Sequence, residues 1–161
     1  MIPVVKGQFA PGYLLAGNEL FFRDKFREAL VKFFLEGQRG ETSEHDLAET
    51  PVRDALDDAA SLGLFARRRA LWLRNAEALL PRRRTAAGGG DEDDGEAPQT
   101  TARHSPEAIA AYFERPQPDS IVVFEATSLE LGDRDDLRKA ERLEKLLPVA
   151  SVRLDRPAVG Q

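Results

Sequence analysis

The sequence predicts an α/β fold with a mainly parallel sheet flanked by helices. Short apolar runs alternate with amphipathic stretches along the chain, which is the pattern of strands joined by crossover helices. Two Ser/Thr-Pro pairs, Thr50-Pro51 and Ser105-Pro106, mark helix starts. Ser120–Ala126 (SIVVFEA) is a continuous apolar, β-branched run of the kind required by a strand covered on both faces.

Taken in order, Gly12–Ala16 (GYLLA) is a short apolar run ending at Gly17 and reads as a buried strand. Asn18 is the expected N-cap of a helix reaching about Leu35. Phe22, Phe26, Ala29 and Phe33 recur at helical spacing and form its expected inner face, widened by Leu30 and Phe34. Five phenylalanines at this spacing read as core. Glu41–Leu47 is a weak edge strand. Thr50 then caps a helix with Pro51 at its first position, running to about Ser61. Arg69–Arg74 (RALWLR) is a strand, and Asn75–Leu80 a short helical turn before Arg82-Arg83-Arg84. Ser105-Pro106-Glu107 opens a helix with Ile109, Tyr112 and Phe113 inward. Arg134–Leu147 is helical, with Leu137, Ala140, Leu143 and Leu147 inward, and Ala150–Leu154 is the last strand. There are no internal repeats.

The chain has 161 residues, 28 acidic and 23 basic, for a formal charge of −5, a length that suits one domain. The absence of cysteine excludes disulfides, zinc ribbons, iron–sulfur clusters and thiol catalysis. No apolar run approaches the roughly 20 residues of a membrane span. Ile2–Ala10 holds one lysine and no uninterrupted apolar core, so no signal peptide is expected and the reading is cytoplasmic, with no membrane partner. Thr85–Ser105 (TAAGGGDEDDGEAPQTTARHS) contains no Leu, Ile, Val or aromatic residue and reads as a flexible loop. Its acids lack the spacing of a calcium loop, so no metal site is expected there. The loop holds five acids against one base and so accounts for −4 of the −5, leaving −1 for the rest. The acidity therefore does not weigh against work on DNA.

In folds of this class, function sits at the carboxyl ends of the strands. A phosphate cradle after the first strand needs several glycines, then Lys and Ser/Thr. The turn here reads Ala16-Gly17-Asn18-Glu19-Leu20-Phe21-Phe22, with one glycine and an acid where a triphosphate would sit. Glu125, ending a buried strand, is half of a Mg²⁺-organising acidic pair at best. The position is that of a nucleotide site, but a degenerate one: Gly17, Asn18 and Glu19 hold no cofactor on this reading, and ATP hydrolysis is not expected. His45, beside Asp46, reads as a surface residue, and His104 falls inside the acidic loop. No nucleophile elbow or pair of histidines at metal-ligand spacing is present, so no catalytic residue or metal ligand is assigned.

Ala59–Arg69 (AASLGLFARRR) is more informative. Gly63 permits a sharp turn, and the apolar Leu64-Phe65 pair either tucks into the core or protrudes into a partner's pocket. In the second case each side chain contributes roughly 1.5–3 kcal/mol on burial, with Arg67, Arg68 and Arg69 as a basic rim.

Tyr13-Leu14-Leu15-Ala16-Gly17-Asn18-Glu19 followed by an aromatic helix resembles the opening of the δ subunit of bacterial DNA polymerase III. Leu64-Phe65-Ala66-Arg67-Arg68 leading into Ala70-Leu71-Trp72-Leu73-Arg74-Asn75, and later Asp119-Ser120-Ile121-Val122-Val123-Phe124, resemble further segments of that family. The resemblance covers about Pro11 to Leu154. It implies an AAA+-like first domain, residues 1–161 here, of a clamp-loader subunit that does not hydrolyse ATP. The expected role is to bind the sliding clamp (the β subunit) and help open it during DNA replication. Leu64 and Phe65 fall on the family's hydrophobic clamp-binding pair, with Leu62, Gly63 and Arg67 flanking; Gly63 stands where a Ser is common. Loop 85–105 lies outside the family pattern and reads as an insertion. The family's lid and collar domains are absent, so the chain reads as an amino-terminal fragment. Contacts to the other clamp-loader subunits (γ/τ and δ′) would be made mainly through those absent domains, and DNA would be contacted only in the assembled complex. The holoenzyme that family belongs to is a DNA-directed DNA polymerase; no activity is assigned to this domain. The alternatives are a divergent P-loop nucleotidase using Gly17 and Glu125, and a nucleic-acid adaptor using Arg67–Arg69 and Arg82–Arg84.

Overall fold

The computed structural model describes residues 9–35, 41–61, 68–81 and 104–154. Among them are five strands: β1 (Gly12–Ala16), β2 (Glu41–Asp46), β3 (Arg69–Arg74), β4 (Ser120–Ala126) and β5 (Ala150–Arg153). They form one sheet in the order β2-β3-β4-β1-β5, and every pairing is parallel. The helices are α1 (Leu20–Phe34), α2 (Val52–Ala60), α3 (Pro106–Glu114) and α4 (Arg134–Leu146), with a 3-10 turn at Ala76–Leu79. The α/β fold and its parallel sheet are as the alternating pattern predicts.

Alternation along the strands splits the core in two. Leu14 and Ala16 of β1, Leu71 and Leu73 of β3, and Val122, Phe124 and Ala126 of β4 face α2, α3 and α4. Tyr13, Leu15, Ala70, Trp72, Ile121 and Val123 face α1, the one helix on that side among the described residues. β1 and β4 are buried along their whole lengths, as central strands of a two-faced sheet must be.

Several helix details differ from the sequence expectation. Asn18 lies exposed one position before the cap, which is Glu19, and the Glu19 side chain makes no capping bond. The buried stripe of α1 is Phe26, Leu30 and Phe34; Phe22, Ala29 and Phe33 are only half-buried flanks. The stripe is turned because α1 packs over Tyr13 and Trp72 and not along the axis of its five phenylalanines. Pro51 occupies the cap of α2 and not its first turn, since its ψ of 139° is extended. Ser105 does cap α3, accepting from the Ala108 amide at 3.4 Å with Pro106 behind it.

His104 also corrects the loop boundary. It is buried, and its Nδ1 accepts the Val52 amide at 3.3 Å at the start of α2. A helix N-terminus leaves such amides unpaired, so His104 supplies the partner that Pro51 cannot. The remainder of the predicted loop, 85–103, lies outside the described residues.

Phe26 is fully buried and meets Tyr13 edge-to-face at 5.2 Å. Because Phe26 is central to the layer that α1 packs on that face, Phe26→Ala is expected to cost about 3–5 kcal/mol in urea unfolding. A cost near 1 kcal/mol would mean that the α1 layer repacks freely.

Candidate functional site

The turn after β1 is where a nucleotide fold of this topology would hold phosphate, because the chain crosses to opposite faces of the sheet after β1 and after β4. Gly17 has φ +132°, outside the range of ordinary side chains, and its amide donates to the Ala126 carbonyl at 3.0 Å. Leu154 closes over it. The Leu154 amide donates to the Ala16 carbonyl at 2.6 Å, and a Cβ on Gly17 would collide with the Leu154 carbonyl. The glycine is thus explained by contact with the protein's own backbone. The first residues of α1, Leu20 and Phe21, are 47% and 63% exposed apolar side chains where a cradle would place Lys and Ser/Thr.

Glu125 is fully enclosed, on the α1 face of β4, at 1% exposure. Both of its carboxylate oxygens accept from Arg27 of α1, Oε1 from Nε and Oε2 from Nη2, each at 2.6 Å. A two-pronged guanidinium–carboxylate pair of this kind is a strong charge-assisted contact. Hydrogen bonding to Glu125, partly opposed by burial, raises the Arg27 pKa above its ordinary value. The guanidinium also stacks over Trp72 at 5.1 Å and reaches Glu44 at 3.5 Å. Glu44 pairs with Arg74 at 2.9 Å, and Asp46 takes a hydrogen bond from Asn75 Nδ2 at 2.7 Å. That bond, the Ala48 amide and Arg74 together hold the Asp46 carboxyl below the usual carboxylate range. Asn75 tolerates its positive φ of 57°, which turns the chain from β3 into the 3-10 helix. The acid that sequence reasoning offered to Mg²⁺ is therefore engaged by an arginine 98 residues away in sequence. Among the described residues no group of three His, Cys, Asp or Glu side chains is placed to hold a metal ion.

Leu62, Gly63, Leu64, Phe65 and Arg67, the residues matched to a clamp-binding element, lie outside the described residues, as do Arg82–Arg84. Arg68 and Arg69, taken from sequence as part of an exposed basic rim, are not one. Arg69 is 6% exposed and Arg68 half-buried. Arg69 is bound to Asp58 and Ser61 at the end of α2, and Arg68 donates to the Phe34 carbonyl at the end of α1 at 2.8 Å. His45, expected to be a surface residue, is half-buried on β2 and lies 2.8 Å from Asp58 Oδ2. Burial works to raise the Asp58 carboxyl, but its bonds to Arg69 and His45 outweigh this and lower it.

The Arg27–Glu125 pair makes an asymmetric prediction. Arg27→Met strands a buried carboxylate and is expected to cost about 3–5 kcal/mol by chemical denaturation. Glu125→Leu is expected to cost less, because Arg27 is 23% exposed and still reaches Glu44. Equal costs would count against the pairing as described.

Among the described residues no helix is long and apolar enough to cross a membrane. No protein-family profile matches the chain, and no curated protein matches it in sequence. The fold is similar to that of a solved structure, the Bacillus subtilis DNA clamp loader delta protein (YqeN), with a TM-score of 0.54 and 20% sequence identity. The similarity covers 92% of this chain, which spans 40% of the length of that protein.

Proposed function

We propose that the chain forms the first, AAA+-like domain of a δ-type clamp-loader subunit, and that it acts in DNA replication by binding the sliding clamp and not by hydrolysing nucleotide. The observation that carries this reading is the Gly17 turn: a strand–turn–helix stands where a nucleotide fold holds phosphate, while Gly17 packs against Leu154 and Glu125 is bound by Arg27. The fold likeness to a clamp-loader delta protein supports it, together with the Tyr13–Glu19 and Leu64–Asn75 motifs. On this reading Leu64 and Phe65 enter an apolar pocket of the clamp, flanked by Leu62, Gly63 and Arg67. Partners in the wider assembly are the other clamp-loader subunits, met through domains beyond this one.

Without hydrolysis, the work on the clamp comes from differential affinity. A domain that binds the opened interface better than the closed one shifts the equilibrium toward opening by that difference and no more.

A binding titration against the cognate sliding clamp tests the reading. The Leu64→Ala/Phe65→Ala variant should lose at least about a hundredfold in affinity, at about 1.5 kcal/mol or more per side chain, with its circular dichroism unchanged. Unchanged affinity would remove the site assignment. Calorimetry with ATP and Mg²⁺ separates the nucleotidase alternative: no saturable heat is expected, and a defined binding isotherm would favour that alternative over the present one.

A further inference from the structure

Most cations among the described residues are engaged. Arg27, Arg69 and Arg74 meet carboxylates, and Arg68 meets a carbonyl. Helix α4 differs. Its Arg134, Arg138, Arg142 and Lys145 are exposed, and none has a hydrogen-bond or ion-pair partner among the described residues. Their spacings of four, four and three place them in one stripe, on the side opposite Ala140 and Leu143, the residues that α4 buries. The acids at this helix are largely used internally. Asp133 caps it, accepting the Asp136 amide at 3.1 Å. Asp136 accepts the Glu130 amide at 3.0 Å and Lys139 Nζ at 3.3 Å, and Glu144 takes Arg153 on both oxygens, at 2.9 and 3.2 Å. Asp135 and Glu141 are exposed and flank the stripe, so the face keeps a net positive charge.

A helix charged only for solubility would not be arranged this way. Arg134 occupies the first helical position, where the dipole favours an acid. Arg134 and Arg138, and again Arg138 and Arg142, are like charges four residues apart, which repel on a helix surface. Asp133, Asp135 and Asp136 around the first turn offset these effects. Local choices that work against a helix and are offset by its neighbours point to a use outside it.

The stripe also has a definite shape. At 1.5 Å per residue its arginines are about 6 Å apart along the axis, and the row to Lys145 spans about 16 Å. Between α4 and the 3-10 turn runs a groove of about 410 Å³, with Arg138, Lys139 and Arg142 on one wall and Leu80 and Pro81 on the other. Its two acids are Asp135 and Glu77, and Glu77 Oε1 already accepts the Ser128 amide and hydroxyl at 3.1 and 2.9 Å. A straight row of evenly spaced cations beside an apolar wall fits a rigid polyanion whose charges alternate with apolar sugar edges. Among the described residues no aromatic side chain lines the groove to stack unpaired bases, as a single strand would require.

We propose that the outward face of α4, through Arg134, Arg138, Arg142 and Lys145, binds the phosphate backbone of duplex nucleic acid without regard to base sequence. The guanidinium fork meets phosphate oxygens two at a time, which suits arginine to the role. The contact does not rest on the clamp-binding reading and needs no second protein.

Fluorescence anisotropy of a labelled, mixed-sequence DNA duplex, titrated with the full chain at several salt concentrations, tests this. Four phosphate contacts predict that log affinity falls with log salt at a slope of about −3 to −4. Arg138→Gln/Arg142→Gln should weaken binding about tenfold at low salt and reduce the slope by about two, with thermal unfolding unchanged. Arg53→Gln/Arg115→Gln removes the same charge from exposed positions on α2 and at the end of α3, and should leave affinity within about twofold. Equal losses in the two double variants would reduce the effect to net charge and overturn the site. No binding of the duplex at low salt would overturn it too, as would wild-type affinity in Arg138→Gln/Arg142→Gln or tighter binding of the unpaired strand. Equal affinity for polyglutamate would make the face a site for acidic protein and overturn the assignment to phosphate.

Discussion

The central constraint is β1, a five-residue strand with neither a free edge nor a free face. It is hydrogen-bonded to β4 on one side and β5 on the other, and all five of its residues are buried. Such a strand leaves no room at its ends. A Cβ on Gly12 would come within 2.6 Å of Val149 Cγ1 and 2.8 Å of Phe113 Cε1, and one on Gly17 would meet the Leu154 carbonyl. The same close packing that seals the core on both sides of β1 sets Leu154 against the Gly17 turn.

The charges obey the same economy. β4 is buried throughout, yet it contains Glu125, and an unpaired carboxylate there would be costly. Arg27 resolves this, and the pairing continues through Glu44 and Arg74 along the sheet to β2. On the opposite face of the same two strands, Arg69, Asp58 and His45 form a second internal group. In both places side chains of the kind that often serve ligands are engaged within the domain.

The sequence exposes these features unevenly, for physical reasons. Gly12–Ala16, Arg69–Arg74 and Ser120–Ala126 are found with their boundaries because burial on two faces leaves an unbroken apolar signature. Helix starts are less legible. Asn18 and Thr50 are good capping residues by type, but the cap is chosen by where the backbone leaves its extended conformation, at Glu19 and Pro51. His104 is hidden by the average composition of 85–105, although it bonds to Val52, 52 residues away. Arg68 and Arg69 look solvated because arginine runs usually are; that they point into opposite faces follows only once β3 is known to start there. The pairing of Arg27 with Glu125 has no local signature at all. A lone acid in a buried strand is nonetheless a signal that some distant cation must meet it.

The two candidate sites stand at opposite ends of the sheet, and this bears on how the domain would act. The Gly17 turn and Glu125 lie at the carboxyl ends of β1 and β4, whereas the connection between α2 and β3 enters at the amino end of β3. Strands of this length separate those edges by about 17–20 Å. A contact made at the amino edge does not share a wall with a nucleotide pocket at the carboxyl edge, so loss of the pocket leaves the contact intact. Leu154 packs on the Gly17 turn and Arg27 binds Glu125, both at the carboxyl edge, so neither contact reaches the amino edge of β3. A nucleotide fold can in this way be reduced to a rigid platform. On the clamp-binding reading proposed above, binding energy at the connection between α2 and β3 would supply the work on a partner.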